Sequence, residues 1–180
     1  GGVIVWRDIS ERKWREQQQE YLLNLNDALR PLSDAVEIEA IACRLLGEHL
    51  GVDHVFYAML NEAEGYWNIP WQYSRGTSSM VGDHPASAYS WVLPFLRCGD
   101  PVIVADIDHS DIIPSADVAV MAAIQTFAIV SIPLIKGGTL IGTLSVTENS
   151  PRVWQPEEVE LVLETAEPTL LKRTERRFVD

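Results

Sequence analysis

Residues 127–146 read FAIVSIPLIKGGTLIGTLSV, two apolar and β-branched runs separated by Lys136-Gly137-Gly138. Two consecutive glycines between such runs are typical of a tight hairpin turn, because glycine accepts the left-handed backbone conformation that this turn requires. The stretch therefore predicts a β-hairpin with strands at 127–135 and 139–146.

A second hairpin, a short strand and several helices complete the predicted order. Further strands are predicted at 52–60, 66–74 and 102–105, with a loop at 76–85 and the end of another strand at 3–6. Caps and breaker residues delimit helices at 10–31, 33–50, 86–98, 115–124 and from 154 onward, with bends at Pro94 and Pro168. Hairpins at both ends of the sheet predict a largely antiparallel sheet in an α+β fold.

Length and charge bound the class of protein. The chain has 180 residues, 47% of them apolar, and a net charge of −12, which suits one globular domain. Residues 31–150 hold fourteen acidic and four basic side chains, a net charge of −10. Such a body argues against nucleic acid and anionic membranes as partners. No apolar stretch reads as a membrane span, and two cysteines are too few for a disulfide framework, so we expect a cytoplasmic protein.

Several motifs resemble those of GAF domains. They are Gly51-Val52-Asp53, CGDPV at 98–102, ADI at 105–107, the hairpin at 132–146 and PRVWQPEEVEL at 151–161. Residues 2–13 resemble the closing strand and linker of a PAS domain. The resemblance implies the end of an upstream PAS domain at 1–9, a linker or signalling helix at 10–31, a GAF body at 32–152, and a C-terminal GAF helix at 153–180 that leads to an output domain.

The resemblance also implies a function. A GAF-like, PAS-related antiparallel sheet between signalling helices is expected in a cytoplasmic sensory domain of a bacterial two-component sensor histidine kinase. Such a domain binds a small molecule, transmits a signal through dimeric helices, or does both. This segment is then not an enzyme, and ATP-dependent autophosphorylation belongs to a kinase domain elsewhere in the parent. The alternatives are a ligand-free dimerisation spacer in a PAS–GAF kinase or cyclic-dinucleotide synthase, and a redox catalyst that uses Cys98.

Aromatic and hydroxyl side chains are the candidates for a ligand pocket. Strict alternation along 66–74 predicts Trp67, Trp71 and Tyr73 on one face of the sheet, joined by Tyr57. Ser131, Thr143, Ser145 and Thr147 alternate on the later strands and offer hydrogen bonds. The predicted ligand-binding residues are Tyr57, Trp71, Tyr73, Trp91, Phe95, Asp106, Phe127, Ser131 and Ser145. Ordinary core packing of the aromatic residues, with the hydroxyls facing solvent, is the alternative.

No cofactor is required by the sequence. The resemblance does not favour a bilin, because Cys98 precedes the short strand and the helix at 115–124 lacks the cysteine that bilin-binding relatives carry there. We expect no metal site, since the acidic run 106–111 reads as a turn and lacks the pattern of a calcium loop. Haem ligation remains open for His49, His54, His84 and His109.

Apolar residues at coiled-coil spacing predict a parallel homodimer. The predicted interface residues are Tyr21, Leu25 and Ala28 in the first helix and Leu163, Ala166 and Leu170 in the last. The further partners implied by the resemblance are the adjacent PAS and kinase domains of the same chain and a small-molecule ligand.

Overall fold

The computed structural model describes the backbone of residues 2–76 and 78–175 and the side chains of residues 10–76 and 78–171. The helices are α1 (Gly2–Leu29), α2 (Ala35–Leu50), α3 (Leu93–Arg97), α4 (Ser115–Ala123) and α5 (Pro156–Glu175). The strands are β1 (His54–Asn61), β2 (Tyr66–Ile69), β3 (Gln72–Ser74), β4 (Gly82–Pro85), β5 (Val102–Val104), β6 (Ala128–Lys136) and β7 (Thr139–Glu148). Two 3-10 segments, Ala86–Val92 and Ile107–His109, complete the structure.

The strands form one antiparallel sheet in the order β4-β2-β1-β7-β6-β5, with β3 also paired to β1. The predicted hairpin of 127–146 is present as β6 and β7, and Gly137 and Gly138 both adopt positive φ in its turn. β1 lies beside β7 in the sheet, and Phe56 pairs with Ser145 across the two strands. The α+β fold with an antiparallel sheet between helices is therefore confirmed.

Helices cover both faces of this sheet and enclose two separate apolar cores. Val55 and Tyr57 of β1 belong to the core under α1, α2 and α5. Phe56 and Ala58 point to the opposite face, where the Ala86–Val92 segment, α3 and α4 enclose the second core. This division follows from the period of two along a strand, which sends successive side chains to opposite faces.

The ends of α2 illustrate how the sequence delimits its helices. The Asp34 carboxylate accepts hydrogen bonds from the backbone N–H groups of Val36 and Glu37, each at 3.0 Å, and so satisfies two donors that have no partner within the helix. At the other end Gly51 has φ 66°, a conformation that favours glycine, and its N–H donates to Gly47 O. Both boundaries confirm the prediction for 33–50.

The predicted strand at 66–74 is wrong in one detail with large consequences. It divides into β2 and β3 around Pro70-Trp71. On β1 two residues separate Phe56 from Met59, whereas three residues separate their partners Gln72 and Asn68. One extra residue therefore enters this strand, and side chains beyond it change faces.

Two other regions differ from expectation. The predicted loop at 76–85 contains β4, which pairs with β2 through backbone hydrogen bonds. The side chains of this segment show no alternating pattern that would predict a strand. Residues 3–6, predicted as the end of a strand, lie in α1, since a strand needs a neighbour for its hydrogen bonds and helical residues satisfy their own. The side chains of 1–9 lie outside the described residues, and the PAS assignment stays a prediction.

The remaining helices follow the sequence closely. The helix predicted at 86–98 is a 3-10 segment followed by α3, with Pro94 in the first turn of α3, where its missing N–H costs nothing. α5 continues through Pro168. None of the helices in the described part of the chain is long and apolar enough to cross a membrane.

Candidate functional site

A cavity of about 80 Å³ lies between the sheet and the layer formed by the 3-10 segment, α3 and α4. Most of its lining is apolar, with polar groups along one side. The lining residues are Phe56, Ala58, Trp67, Ile69, Met80, His84, Tyr89, Val92, Leu96, Met121, Ile124, Thr126, Ile129, Ser131, Thr143, Ser145 and Thr147. An apolar cavity with a few polar groups on one wall is the usual form of a small-molecule site.

The polar wall of the cavity is a row of hydroxyls supplied by the central hairpin. Thr143, Ser145 and Thr147 alternate along β7 and so share a face, and Ser131 lies opposite Ser145 on β6. Ser131 Oγ and Ser145 Oγ are 2.6 Å apart, and Thr143 Oγ1 lies 3.1 Å from Ser145 Oγ. The predicted alternation of these four hydroxyls is confirmed, and they face the cavity and not solvent.

Three polar atoms in the cavity wall lack a hydrogen-bond partner among the described residues. They are Trp67 Nε1, Thr126 Oγ1 and Thr147 Oγ1. Thr126 and Thr147 are 1% and 0% exposed, so bulk water does not reach them. A buried polar group without a partner costs about 1–3 kcal/mol of stability. The wall thus presents hydrogen-bonding groups that a molecule in the cavity would satisfy.

Thr126 lies just before β6, at the open end of the β6–β7 hairpin. Gln125 is the only non-glycine residue with positive φ, at 56°, within the described ranges 2–76 and 78–175. This conformation turns the chain from α4 into β6, and Thr126 N donates to Met121 O at 3.0 Å. Thr147 pairs with Ile129 at the same end of β6. Two of the three atoms without partners therefore lie at one end of the cavity.

The cavity wall carries almost no charge. None of the lining residues in the described part of the chain is Asp, Glu, Lys or Arg. His84 is bound through Nε2 to Met80 O at 2.7 Å, so this nitrogen carries the proton and donates it to the carbonyl. Burial raises the pKa of Tyr89, which keeps its phenol neutral at pH 7. An ionised ligand would find no opposite charge from an acidic or fully ionised basic side chain.

Of the nine predicted ligand-binding residues, Ser131 and Ser145 line this cavity. Tyr57, Trp71 and Tyr73 do not, because they pack in the other core, under α2 and α5. The extra residue at Pro70-Trp71 explains the error, since it places Tyr73 on the face opposite Trp67. Alternation along β1 likewise places Tyr57 behind the sheet.

The other four predicted residues lie near the cavity without lining it. Trp91, Phe95 and Phe127 pack in the core on the same side of the sheet. Asp106 is not among the lining residues of this cavity, and its role as a pocket carboxylate stays a prediction. It caps the following turn by accepting from Asp108 N at 3.0 Å, and it pairs with His109 Nδ1 at 2.9 Å, which raises the pKa of His109.

Several lining residues were missed by the sequence interpretation. Phe56 and Ala58 follow from alternation once Tyr57 is assigned to the opposite face. Thr126 and Met80 lie in connecting segments without periodic pattern, so only the folded chain brings them to the cavity. His84 lies on β4, the strand that was predicted as loop.

The remaining candidates for cofactor chemistry are dispersed. No cluster of three or more His, Cys, Asp or Glu that would hold a metal ion occurs among the described residues. Cys98 is exposed, whereas Cys43 is buried and burial raises the pKa of its thiol. His54 Nε2 lies 3.3 Å from Ser78 O, and the His49 ring stacks 4.7 Å from that of Tyr21, both away from the cavity.

Residues 34–168 match the GAF domain family. The chain belongs to the GAF family. Similar solved structures include the phycocyanobilin-bound GAF domain from a cyanobacterial phytochrome (TM-score 0.77, 16% identity, 89% of this chain and 96% of that one). Others are the GAF domain of cyanobacteriochrome TePixJ (0.66, 18%, 82% and 93%) and free methionine-R-sulfoxide reductase from Neisseria meningitidis with its substrate (0.70, 15%, 91% and 92%). No curated protein sequence matches the chain. At these identities the likeness shows a common fold.

A charged cluster connects the sheet of the GAF domain to α5. We name Asp53, Glu148, Arg152 and Glu158 the exit cluster. Arg152 donates to Glu148 Oε1 at 2.7 Å, to Glu158 Oε2, and to Leu50 O at 3.2 Å. Burial, together with the neighbouring carboxylate of Asp53, raises the pKa of Glu148 to about 7. The neighbouring Glu148, together with Asn149 N and Arg75, lowers the pKa of Asp53.

Trp154 fixes the start of α5 against the sheet. Its Nε1 donates to Val104 O at 3.0 Å, and the Arg152 guanidinium lies 4.9 Å from the ring centroid. Gln155 N donates to Glu158 Oε1 at 3.0 Å, which caps the helix. The Trp-x-x-x-Glu spacing of the GAF motif thus serves to anchor α5.

The predicted dimer residues are divided between the core and the surface. Tyr21, Leu25 and Ala166 are buried where α1 and α5 pack on α2 within the same chain, so they are not available to a second copy. Ala28 is half-buried and Leu170 packs against the same core. Leu163 is 42% exposed and is the one predicted residue that faces outward. The apolar residues of α1 therefore pack within the same chain, because α2 and α5 cover them.

Proposed function

We propose that this GAF domain is a sensory module that binds a small molecule in the cavity and transmits its occupancy through α5. The observation that carries the proposal is the set of buried hydroxyls without partners in an otherwise apolar cavity. Evolution retains such costly groups chiefly where a bound molecule or ordered water satisfies them. Binding would offset the cost that Thr126 and Thr147 impose on the empty fold.

A direct path from the cavity to α5 supports the transmission step. Thr147 faces the cavity, and the next residue along β7, Glu148, belongs to the exit cluster. Glu148 holds Arg152, and Arg152 holds Glu158 in the first turn of α5. A ligand that draws Thr147 toward itself would move the backbone of β7 and, with it, the adjoining Glu148. Differential binding to two positions of α5 would then set the output.

We further propose that the parent is a cytoplasmic two-component sensor histidine kinase with a PAS domain ahead of residue 10. The GAF domain would act by binding, and the kinase domain would carry the chemistry. A cyclic-dinucleotide synthase is the alternative output, because sensory helices such as α5 also suit that class. The resemblance of residues 2–13 to a PAS linker supports this arrangement.

A bilin is not the ligand that we propose, although the similar phytochrome domain is described with bound phycocyanobilin. Drug-sized molecules take pockets of about 300–1,000 Å³, and a linear tetrapyrrole is at least that large. The cavity here measures about 80 Å³. Its described lining residues include no cysteine for a thioether bond and no arginine for propionate groups.

Homodimerisation is part of the proposal, through the outer side of α5, which includes only Leu163 of the residues first predicted. Leu163 and Leu171 are 42% and 64% exposed and lie eight residues apart on the outer side of α5. Parallel packing of two copies of α5 would bury both. We expect Leu163→Glu to halve the mass measured by light scattering at 100 µM, whereas Val153→Glu, at a site 73% exposed before α5, leaves it unchanged. A monomeric unmodified chain at that concentration would contradict the dimer.

The chain offers a built-in probe for ligand binding. It has three methionines, of which Met80 and Met121 line the cavity and Met59 packs on the opposite face of the sheet. With ¹³C-methyl methionine, a ligand in the cavity shifts the first two NMR signals and spares the third. We would screen fractions of a small-molecule extract in this way.

The control variant is Ala58→Leu, which adds three carbons to the cavity wall and blocks the site. We expect at least one fraction to shift Met80 and Met121 in the unmodified protein and neither in the variant. If no fraction shifts them, or if Met59 shifts equally, the proposed sensory function is contradicted.

A further inference from the structure

The cavity walls narrow the class of ligand, and this inference rests on the proposed function. We infer that the site takes a compact, uncharged molecule of about five non-hydrogen atoms, with an amide or hydroxyl group at Thr126 and Thr147 and an apolar end against Phe56 and Ile129. The inference combines the volume of the cavity, the absence of charged side chains from its described wall, and the position of the hydroxyls without partners.

Volume sets the size of the ligand. An engineered protein cavity of about 150 Å³ accommodates benzene, which has six non-hydrogen atoms. On that scale, about 25 Å³ per non-hydrogen atom, a cavity of about 80 Å³ encloses about three atoms, so a molecule of about five atoms fits with one end in the opening of the cavity. With a ceiling of about 1.5 kcal/mol per atom, five atoms bind with a Kd no tighter than the low micromolar range. The site would respond to an abundant small metabolite.

Charge excludes ionised ligands. A carboxylate or ammonium loses its hydration on entry and is compensated only by an opposite charge or several hydrogen bonds. The described lining has no acidic side chain, and its only basic one is His84, whose Nε2 already donates to Met80 O. A neutral amide loses far less hydration and would recover it at the hydroxyls.

Hydrogen bonding places the polar end of the ligand. Ser131, Ser145 and Thr143 already bond to one another, at 2.6 Å and 3.1 Å, so their capacity is partly used. Thr126 and Thr147 have no partner among the described residues, and both line the cavity toward the open end of the β6–β7 hairpin. A hydroxyl both donates and accepts, so this pair suits an amide or alcohol, which does the same.

Three isosteric probes test the inference directly. Propionamide, propionate and propionamidine have the same shape and carry charges of zero, −1 and +1. Each would be titrated at pH 7.5 into the ¹³C-methyl-methionine protein. We expect propionamide to shift Met80 and Met121 with a Kd at least tenfold lower than that of either ion.

Two valine variants separate hydrogen bonding from packing. Thr147→Val keeps the shape of the side chain and removes the hydroxyl, so propionamide should bind at least fivefold more weakly. Thr139→Val makes the same exchange at an exposed site on the same strand and should leave the Kd unchanged. Equal loss of affinity in the two variants would overturn the assigned hydrogen bond.

The outcomes distinguish this inference from the proposed function. If propionate or propionamidine binds as tightly as propionamide, the uncharged class is wrong and the binding site stands. If no probe shifts Met80 or Met121 while a fraction of the extract does, the class is again wrong and the sensory function stands. If neither probes nor extract shift them, both fall.

Discussion

Thr147→Val should make the empty protein more stable, although it removes a polar group from a predicted binding site. Thr147 is 0% exposed, and its Oγ1 has no partner among the described residues. Such a hydroxyl costs about 1–3 kcal/mol, and valine replaces it with a methyl group of similar size. We expect the free energy of unfolding to rise by about 1 kcal/mol and Tm by about 2–4 °C, as is usual for domains of this length.

The assay is urea unfolding followed by tryptophan fluorescence, with the midpoint compared at constant slope. Thr143→Val is the matched control, four residues away on the same strand and on the same face. Its hydroxyl bonds to Ser145 Oγ at 3.1 Å, so the same exchange should lower the free energy of unfolding by about 0.5–1.5 kcal/mol.

Changes of opposite sign in the free energy of unfolding would confirm that the Thr147 hydroxyl has no hydrogen-bond partner in the empty protein. If Thr147→Val destabilises the protein as much as Thr143→Val does, the Thr147 hydroxyl is already satisfied, for example by a permanent buried water. The Thr147 hydroxyl would then not be available to a ligand, which would refute the proposed hydrogen bond.

Two further predictions concern packing and the exit cluster. Gly47→Ala should lower the free energy of unfolding by about 1–3 kcal/mol in the same urea assay, because a Cβ there would overlap the ring of Tyr73. Gly76→Ala, where the nearest atom is 3.5 Å away, should change the free energy of unfolding little. Equal effects of the two substitutions would contradict the packing of Gly47 against Tyr73. For Glu148, whose pKa rises from 4.5 to about 7 on folding, the unfolded chain loses the proton first, so stability should fall as pH rises from 4.5 to 7. Glu148→Gln should flatten that slope, and an unchanged slope would exclude Glu148 as its source.

Local signals in the sequence were sufficient for most of the fold. The Lys136-Gly137-Gly138 turn, the Asp34 cap and the Gly51 stop each act within a few residues, so their outcome does not depend on distant contacts. Alternation along β7 likewise placed the three hydroxyls of Thr143, Ser145 and Thr147 on one face, because β7 runs without interruption. Where an element is regular, its period alone assigns the buried face.

The wrong predictions concern irregular parts of the chain and apolar helix faces whose packing partner the sequence does not specify. One residue inserted at Pro70-Trp71 reverses the faces of β3, and with them the assignment of Tyr73. The apolar face of α1 through Tyr21 and Leu25 predicts that another element packs against it. The same pattern results whether that element is α2 or a helix of a second copy. Thr126 was missed because its position depends on the backbone of Gln125, which has no periodic signature.

The central claim is that occupancy of the cavity reaches α5 through Thr147 and the exit cluster. Amide hydrogen exchange across 148–171, with and without saturating propionamide, tests it most directly. The account predicts slower exchange in the first turns of α5 in the unmodified protein and no such change in Thr147→Val once its cavity is equally occupied. Protection that stays within the cavity strands, with α5 unaffected, would contradict it.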